Sequence, residues 1–469
     1  MELWPVAIAM ALGTASCLLL LGSAELALLR TLLKMLACKG RRNRGQLTGL
    51  RFPTSADELT SSKGPARLTA MLKPHLPKGV SVTSVRNLQT EIKDGVKGEK
   101  AMLKVTYSKP VDAEILPNVF FVKFNLQDWS PMRIFVQSSQ VCKCEALFYH
   151  ILAKEISDFL RTPKCFFVDF NEMTGEFCLV TEALDFGHQY LPLKHRVRDA
   201  ASLEDQLLFI ETGAMLHCRL GNSPVLLKMP KFHETHREMW VLCALSGRFG
   251  LSHSVQKTVR GQRVNEAWMT WDCPSELLGK ERDIIRDMPG IMTSLSKDPE
   301  MAVFGHNDLT TDNAFYWKDA GKLHMGLFDW QQSCVNNLGQ EWAWNWHFLE
   351  PEFLAKHEET LIDHVLSTYE RLGRQISRAK FLNAYVLGTA QMFVFSGGGL
   401  QLLMTDLQSK GIFESLVPED VRCKDPGLDQ ELREKLVGAE MTRRTFTNCC
   451  SIMRRHDFYS AWQKWRETH

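Results

Sequence analysis

The stretch HNDLTTDN at residues 306–313, followed by LFDWQ at residues 327–331, decides the fold of this chain. An Asp is followed five residues later by an Asn, and a second Asp comes at the end of the next predicted hairpin. The carboxylate of Asp308 can accept the proton of a hydroxyl group that attacks phosphorus. The side-chain oxygens of Asn313 and Asp329 are hard ligands of the kind that Mg²⁺ prefers. The spacing therefore indicates phosphoryl transfer from a nucleotide that carries Mg²⁺.

This pattern resembles the catalytic signature of the aminoglycoside phosphotransferase and choline kinase-like superfamily, whose fold is that of the protein kinases. The form DWQ after an apolar strand, together with GVSV at residues 79–82, looks most like the ecdysteroid kinase-like (CHK kinase-like) branch. The resemblance covers about residues 55–415 and is strongest at residues 304–347. It implies a small-molecule kinase that uses ATP and Mg²⁺.

The resemblance assigns roles to four residues of the motif. Asp308 matches the catalytic base, and His306 matches the histidine that braces the catalytic loop. Asn313 and Asp329 match the ligands of Mg²⁺. Taken without the resemblance, Asp308 and Asn313 would also fit turn and capping positions, which these residue types favour.

The resemblance also implies a small lobe that binds the nucleotide. The stretch FFVKF at residues 120–124 resembles the strand with the phosphate-binding lysine, here Lys123. Glu145, in a predicted helix, is similar to the acid that pairs with this lysine. A lysine among apolar residues is costly to bury unless it is paired, although an edge strand could expose it. Glu182 lies in LVTEA at residues 179–183, which looks like the hinge whose backbone meets the adenine ring.

Two residues depart from the family pattern. Asn307 stands where the family usually has Gly, and Asn is among the few other residues that tolerate a left-handed backbone. Glu341 stands where an Asp usually braces the catalytic loop, and its extra methylene shifts the carboxylate. These departures motivate a second hypothesis, a catalytically inactive kinase-like scaffold that binds nucleotide or a partner. A protein serine/threonine kinase is disfavoured because no activation segment ending in Ala-Pro-Glu follows Asp329.

Patterning along the chain predicts an α+β, protein kinase-like fold with a small β-rich lobe and a larger helical lobe. We predict a transmembrane anchor at 1–29, a basic juxtamembrane linker at 30–54, an N-lobe at 55–184 and a C-lobe at 185–469. Predicted strands are Val80–Thr90, Ala101–Ser108, Asn118–Phe124, Cys165–Phe170, Gly175–Glu182, Asn313–Trp317 and Met325–Trp330. Predicted helices are Pro65–Leu76, Val141–Asp158, Leu203–Leu220, Leu361–Leu372, Phe381–Phe395 and a basic closing helix. The alternating aromatic residues Trp342, Trp344, Trp346 and Phe348 are interpreted mostly as core.

The amino terminus contains an apolar run, Leu3–Ala24, of 22 residues without a charge. A helix of that length reaches about 33 Å, which is enough to cross a hydrocarbon core of about 30 Å. Basic residues follow the run, so the positive-inside bias predicts a single-pass membrane protein with a cytosolic body, the endoplasmic reticulum being one candidate membrane. A cleaved signal peptide ending near Ala24 and a helix lying on the membrane are the alternatives.

Composition excludes several other classes of protein. The 469 residues are 45% hydrophobic and 23% charged, which is typical of a folded globular chain. The net charge of +2 gives no electrostatic reason to expect nucleic acid as a partner. We therefore expect a monomeric kinase whose partners are a membrane and a small-molecule alcohol. An anchored enzyme suits a lipophilic acceptor such as a sterol or isoprenoid.

Overall fold

The computed structural model describes residues 44–88, 98–126, 139–184, 202–221, 223–236, 274–409, 420–425 and 427–469, with a few isolated residues and short pieces between them. The predicted anchor Leu3–Ala24 lies outside the described residues. Within the described part, no helix combines the length and the apolar character needed to cross a membrane.

The chain forms two compact units. The first contains the described residues up to Ala146, then Cys165–Ala183, and also Thr235 and His236. The second contains Leu147–Lys164 and the remaining described residues. The first unit is rich in strands and the second is mainly helical, as the sequence predicts. The boundaries differ from the predicted lobes, because residues 147–164 belong to the second unit.

The first unit is built on a five-stranded antiparallel sheet with the order β1-β2-β3-β5-β4. Its strands are β1 (Val82–Asn87), β2 (Lys100–Tyr107), β3 (Val119–Phe124), β4 (Cys165–Asn171) and β5 (Glu176–Glu182). Its helices are α1 (Ala56–Thr60), α2 (Gly64–Leu72) and α3 (Val141–Leu147), the last of which ends at the unit boundary. One face of the sheet forms the core, to which β3 contributes Phe120, Val122 and Phe124. Because side chains alternate along a strand, Lys123 points to the opposite face.

Residues 44–50, predicted as part of a linker, instead dock onto β4. The backbone N–H groups of Leu47 and Thr48 each donate to the buried carboxylate of Asp169 at 2.9 Å. The Thr48 hydroxyl donates to the same carboxylate. Sequence reasoning could not find this contact because the acceptor lies more than a hundred residues away in the sequence.

The second unit contains two short antiparallel ribbons among its helices. Its strands are β6 (Ala302–Gly305), β7 (Ala314–Asp319), β8 (Lys322–Leu327) and β9 (Cys334–Asn337). Its α-helices are α4 (Leu203–Leu220), α5 (Phe232–Thr235, which ends at the unit boundary), α6 (Glu281–Ser296), α7 (Leu338–Trp346), α8 (Pro351–Arg371), α9 (Arg378–Ser409), α10 (Gln430–Arg455) and α11 (Phe458–Thr468). Shorter 3-10 turns are Pro224–Lys228, Ser275–Leu277, Thr311–Asn313, Trp330–Gln332 and Val421–Lys424. Helices α7 and α9 approach closely, because Gly339 lies against Ala384 and Tyr385.

Local sequence signals account for some of these elements and not for others. The predicted helix Leu203–Leu220 is confirmed, and a reciprocal capping box between Ser202 and Asp205 begins it. The predicted helix Val141–Asp158 is wrong in length. Its α-helical part ends at Leu147 and gives way to a π-helical turn at Phe148–Leu152. There the ring of Phe148 stacks on the ring of Trp330, with ring centroids 3.7 Å apart, and both residues belong to the second unit.

Candidate active site

The catalytic motif forms a tight loop between β6 and β7. The side-chain nitrogen Nδ2 of Asn313 donates to the carbonyl oxygen of Asp308 at 2.9 Å and to its Oδ2 at 3.1 Å. The N–H of Thr310 donates to the same carbonyl oxygen at 2.9 Å. Because Nδ2 is turned towards the loop, Oδ1 is the amide oxygen of Asn313 that remains for a cation.

Asp329 is brought to the loop by the hairpin that precedes it. The N–H of Phe328 donates to the backbone oxygen of Asn313 at 3.1 Å, so the two predicted metal ligands lie on neighbouring segments. Asp329 itself has a left-handed backbone, with φ 61° and ψ 60°. Asp is one of the few residues other than Gly that adopt this conformation readily. The turn therefore directs the chain away from β8 at the predicted ligand.

His306 holds the two halves of the motif together. Its ring nitrogen Nε2 lies 3.0 Å from the carbonyl oxygen of Phe328, to which it donates as the N–H tautomer. Its ring packs on Trp330 with centroids 4.5 Å apart. Burial lowers the pKa of His306 against the opposing effect of Asp308. A neutral imidazole in this position joins the loop to the backbone of Phe328.

Asn307 adopts the left-handed backbone that the sequence predicts, with φ 57°. Its buried amide also makes contacts that a Gly could not make. Nδ2 donates to the backbone oxygens of Gly305 at 3.2 Å and Gln332 at 3.0 Å. Oδ1 accepts from the side chain of Asn336 at 2.8 Å. The substituted residue therefore ties the catalytic loop to the chain around β9.

Glu341 contacts the loop that contains Asn307, despite having one methylene more than the Asp of the pattern. Its Oε1 accepts the N–H of Asn307 at 3.2 Å, and its Oε2 lies 2.9 Å from Nε2 of His217. The space comes from Gly305, because a Cβ atom there would overlap the carboxylate. Burial raises the pKa of Glu341, but His217 and the Asn307 N–H outweigh it and hold the pKa below its ordinary value. The Glu341 carboxylate is therefore ionised when it accepts the hydrogen bond from the Asn307 N–H.

The first unit contains the predicted lysine–glutamate pair. Nζ of Lys123 lies 3.2 Å from Oε1 and 3.0 Å from Oε2 of Glu145. The side chains are only 3% and 1% exposed, so each charge depends on its partner. Glu182 is the last residue of β5, and its backbone oxygen accepts the hydroxyl hydrogen of Thr181 at 3.0 Å.

Sequence reasoning missed two residues that contact the motif and one that contacts Glu341. The indole nitrogen Nε1 of Trp344 donates to Oδ1 of Asp308 at 3.0 Å. Oδ1 of Asn345 accepts the N–H of Leu309 at 2.9 Å. His217 pairs with Glu341 from the last turn of α4. For Trp344 a signal existed, because residues two apart on a helix lie on nearly opposite faces, so the three alternating tryptophans could not share one core face.

The donor atoms present suit Mg²⁺. No group of three or more His, Cys, Asp or Glu side chains is arranged to hold a metal among the residues that the structure describes. Asn313 and Asp329 instead offer one amide oxygen and one carboxylate. Mg²⁺ usually keeps several waters and binds through one or two protein ligands and the phosphates of a substrate. These two residues therefore fit the ion as part of a nucleotide complex.

No protein-family model and no curated protein matches the chain. One similar solved structure is a choline/ethanolamine kinase family protein from Mesorhizobium loti, with 15% identity, 82% of this chain and 93% of that chain covered, and a TM-score of 0.36. Ethanolamine kinase from Plasmodium vivax has 13% identity, coverage of 76% and 82%, and a TM-score of 0.36. An aminoglycoside phosphotransferase from Streptomyces rimosus has 13% identity, coverage of 62% and 88%, and a TM-score of 0.34.

Because these TM-scores and identities are low, the likenesses do not bear on substrate or mechanism. The narrower resemblance to the CHK kinase-like branch stays a prediction. The solved structures to which this chain is similar come from the aminoglycoside phosphotransferase and choline kinase-like superfamily that its motif resembles.

Proposed function

We propose that this protein is a kinase that transfers the γ-phosphate of ATP to a hydroxyl group of a small molecule. The observation that carries the proposal is the joining of Asp308, Asn313 and the Phe328–Asp329 segment by hydrogen bonds of 2.9–3.1 Å. One partly exposed carboxylate and two oxygen ligands on adjoining segments are what phosphoryl transfer requires.

Each residue has a defined task in this proposal. Asp308 accepts the proton of the acceptor hydroxyl while the hydroxyl oxygen attacks the γ-phosphorus and ADP leaves. Asn313 orients the Asp308 carboxylate through Nδ2. Held by Asn313 Oδ1 and Asp329, Mg²⁺ would neutralise charge on the phosphate oxygens. Lys123, held in place by Glu145, binds the α- and β-phosphates.

The scaffold hypothesis rested on Asn307 and Glu341, and the contacts of both favour an active enzyme. Asn307 adopts the backbone conformation for which Gly is usually needed, and Glu341 receives the loop N–H. Both contacts hold the loop in the form that a catalytic role for Asp308 needs.

The acceptor and the setting of the enzyme are further parts of the proposal. We propose a lipophilic alcohol, such as a sterol or isoprenoid, as the acceptor, because the apolar run Leu3–Ala24 would hold the enzyme at a membrane where such alcohols concentrate. Glu182 would sit at the hinge next to the adenine ring. The body would be cytosolic and monomeric.

The test is an untargeted screen for transfer of labelled γ-phosphate from ATP into a cell and lipid extract. Wild type should label at least one metabolite, and Asp308→Asn should label none while its nucleotide binding, measured by thermal stabilisation with Mg²⁺ and ATP, persists. Asp312→Asn is a matched control in the same loop. Nucleotide binding without transfer by the wild type would favour the scaffold, and an Asp308→Asn variant with wild-type turnover would show that Asp308 is not the base.

A further inference from the structure

Two buried segments of the second unit each contain one partly exposed residue. Residues 303–311 are buried except for Asp308, and residues 338–347 are buried except for Trp344. These two exceptions contact each other, since Trp344 Nε1 donates to Asp308 Oδ1 at 3.0 Å. An alcohol that reaches Asp308 from solvent therefore meets the indole of Trp344 as well.

Helix geometry explains why Trp344 differs from its neighbours. Trp342 and Trp346 are four residues apart, so they lie on one side of α7, and both are fully buried. Trp344, two residues from each, lies on the other side of the helix.

The indole completes the fixation of the catalytic carboxylate. Oδ1 of Asp308 receives the indole N–H, and Oδ2 receives Nδ2 of Asn313 at 3.1 Å. Two donors on opposite oxygens set the rotation of the carboxylate about its bond to Cβ. An ionised carboxylate has about four lone-pair positions, so both oxygens can still accept a further proton donor. The arrangement leaves room for the hydroxyl of the acceptor.

We propose that Trp344 is a positioning residue for Asp308 and also the aromatic wall against which the acceptor alcohol lies. This inference rests on the proposed kinase function, because it assigns a role relative to the acceptor. It predicts that the indole N–H governs turnover, whereas the ring surface governs binding of the acceptor. The two effects separate in two variants.

The hydrogen bond can be tested without any activity. In protein labelled with ¹⁵N-tryptophan, the indole N–H resonance of Trp344 is identified by its loss in Trp344→Phe. Asp308→Ala should shift this resonance upfield and leave that of Trp346 in place, since the Trp346 N–H has no hydrogen-bond partner among the described residues. An unchanged Trp344 resonance would overturn the positioning role.

Kinetics then separate positioning from structure. Trp344→Phe keeps the ring and removes the donor, so kcat should fall about tenfold, which corresponds to one hydrogen bond to a charged group, while the acceptor KM stays within about twofold. Trp344→Leu should also raise the acceptor KM. Trp346→Phe, a core control, should keep the kcat of the folded fraction. Two reactions are measured. One is transfer of phosphate to the acceptor identified by the labelling screen, and the other is hydrolysis of ATP, in which water accepts the phosphate.

The outcomes distinguish this inference from the function on which it rests. A wild type that transfers phosphate to no acceptor and hydrolyses no ATP would contradict the kinase function, and the indole resonance would still decide the positioning contact. An active wild type with Trp344→Phe at full kcat would contradict positioning alone. Equal acceptor KM values for Trp344→Phe and Trp344→Leu would contradict the proposal that the acceptor lies against the ring of Trp344.

Discussion

The carboxylate of Glu341 accepts the backbone N–H of Asn307, at 3.2 Å, inside the catalytic loop. Both residues depart from the pattern that the motif resembles, and they lie at the two ends of one hydrogen bond. The longer side chain of Glu341 fits because Gly305 leaves space for it, and its Oε2 lies 2.9 Å from Nε2 of His217. His217 in turn contacts the hydroxyl of Tyr369. The loop is thus supported by a buried chain of polar groups that reaches from α7 to α4 and α8.

The first prediction concerns the space at Gly305. Its backbone is not left-handed, so Gly305→Ala adds only a methyl group, which overlaps the carboxylate of Glu341. We expect a loss of about 1–3 kcal/mol in the free energy of unfolding, as for overpacked cores. Adding Glu341→Asp shortens the acid and should recover part of that stability. Urea unfolding measures both, with Glu341→Asp alone as the control. A double variant no more stable than Gly305→Ala would contradict this account.

The second prediction concerns the buried pair of Lys123 and Glu145. Glu145→Gln leaves the ammonium group without its counter-charge, which for a buried pair costs about 3–5 kcal/mol of unfolding free energy. The double variant Lys123→Met with Glu145→Leu removes both charges, so it should be about as stable as wild type yet bind no nucleotide. Denaturant unfolding measures the stability of each variant, and thermal shifts with MgATP measure its nucleotide binding. Equal instability of the single and the double variants would count against the pairing.

The third prediction concerns acid stability. Glu358 receives the Tyr385 hydroxyl at 2.8 Å and Nε of Arg455 at 2.7 Å, and it lies 3.1 Å from Nε2 of His456. Burial raises its pKa, but the hydrogen bonds and charges of His456 and Arg455 outweigh burial and lower the pKa from 4.5 to about 2. A lowered folded-state pKa means that the ionised form adds stability above about pH 4.5, which is lost as the pH falls towards 2.

That contribution is on the order of 3 kcal/mol. Urea midpoints measured from pH 7 down to pH 3 should fall steeply for wild type and less steeply for Glu358→Gln, which begins lower. Glu352→Gln changes an exposed acid of the same helix and should follow the wild-type profile. Parallel profiles for wild type and Glu358→Gln would refute the assignment.

The fourth prediction concerns the docked segment 44–50. Asp169→Ala removes the acceptor of the Leu47 and Thr48 backbone N–H groups, so the segment should detach and trypsin should cleave after Arg44 sooner. Thr48→Val removes only the hydroxyl contact and should have a smaller effect, about 1 kcal/mol. Thr83→Val, which loses a surface hydrogen bond elsewhere in the unit, is the control. Unchanged cleavage of Asp169→Ala would show that other contacts hold the segment.

The elements that could be predicted are those with local signals. The capping box and the apolar spacing of Leu203–Leu220 lie in the helix or directly before it, so its limits follow from the local sequence. Strand β3 could be predicted from a short apolar run, and Lys123 within it pointed to a charged partner. The four-residue strands β6 and β9 were missed because a run so short has no recognisable alternation. The α-helix ends at Leu147, next to the stacking of Phe148 on Trp330, which is a contact that no local pattern records.

By itself, the sequence predicted the chemistry of the proposed site, because an acid, an amide and a second acid at fixed spacing specify which groups could meet a phosphate. It also determined that Asn307 could take a left-handed backbone, since that is a property of the residue. Only the tertiary structure decided that Glu341 pairs with His217, that residues 44–50 dock on Asp169, and that Trp344 rather than Trp342 or Trp346 reaches Asp308. Such contacts join residues from 36 to more than a hundred positions apart, and their existence depends on how helices and strands pack rather than on any neighbouring residue.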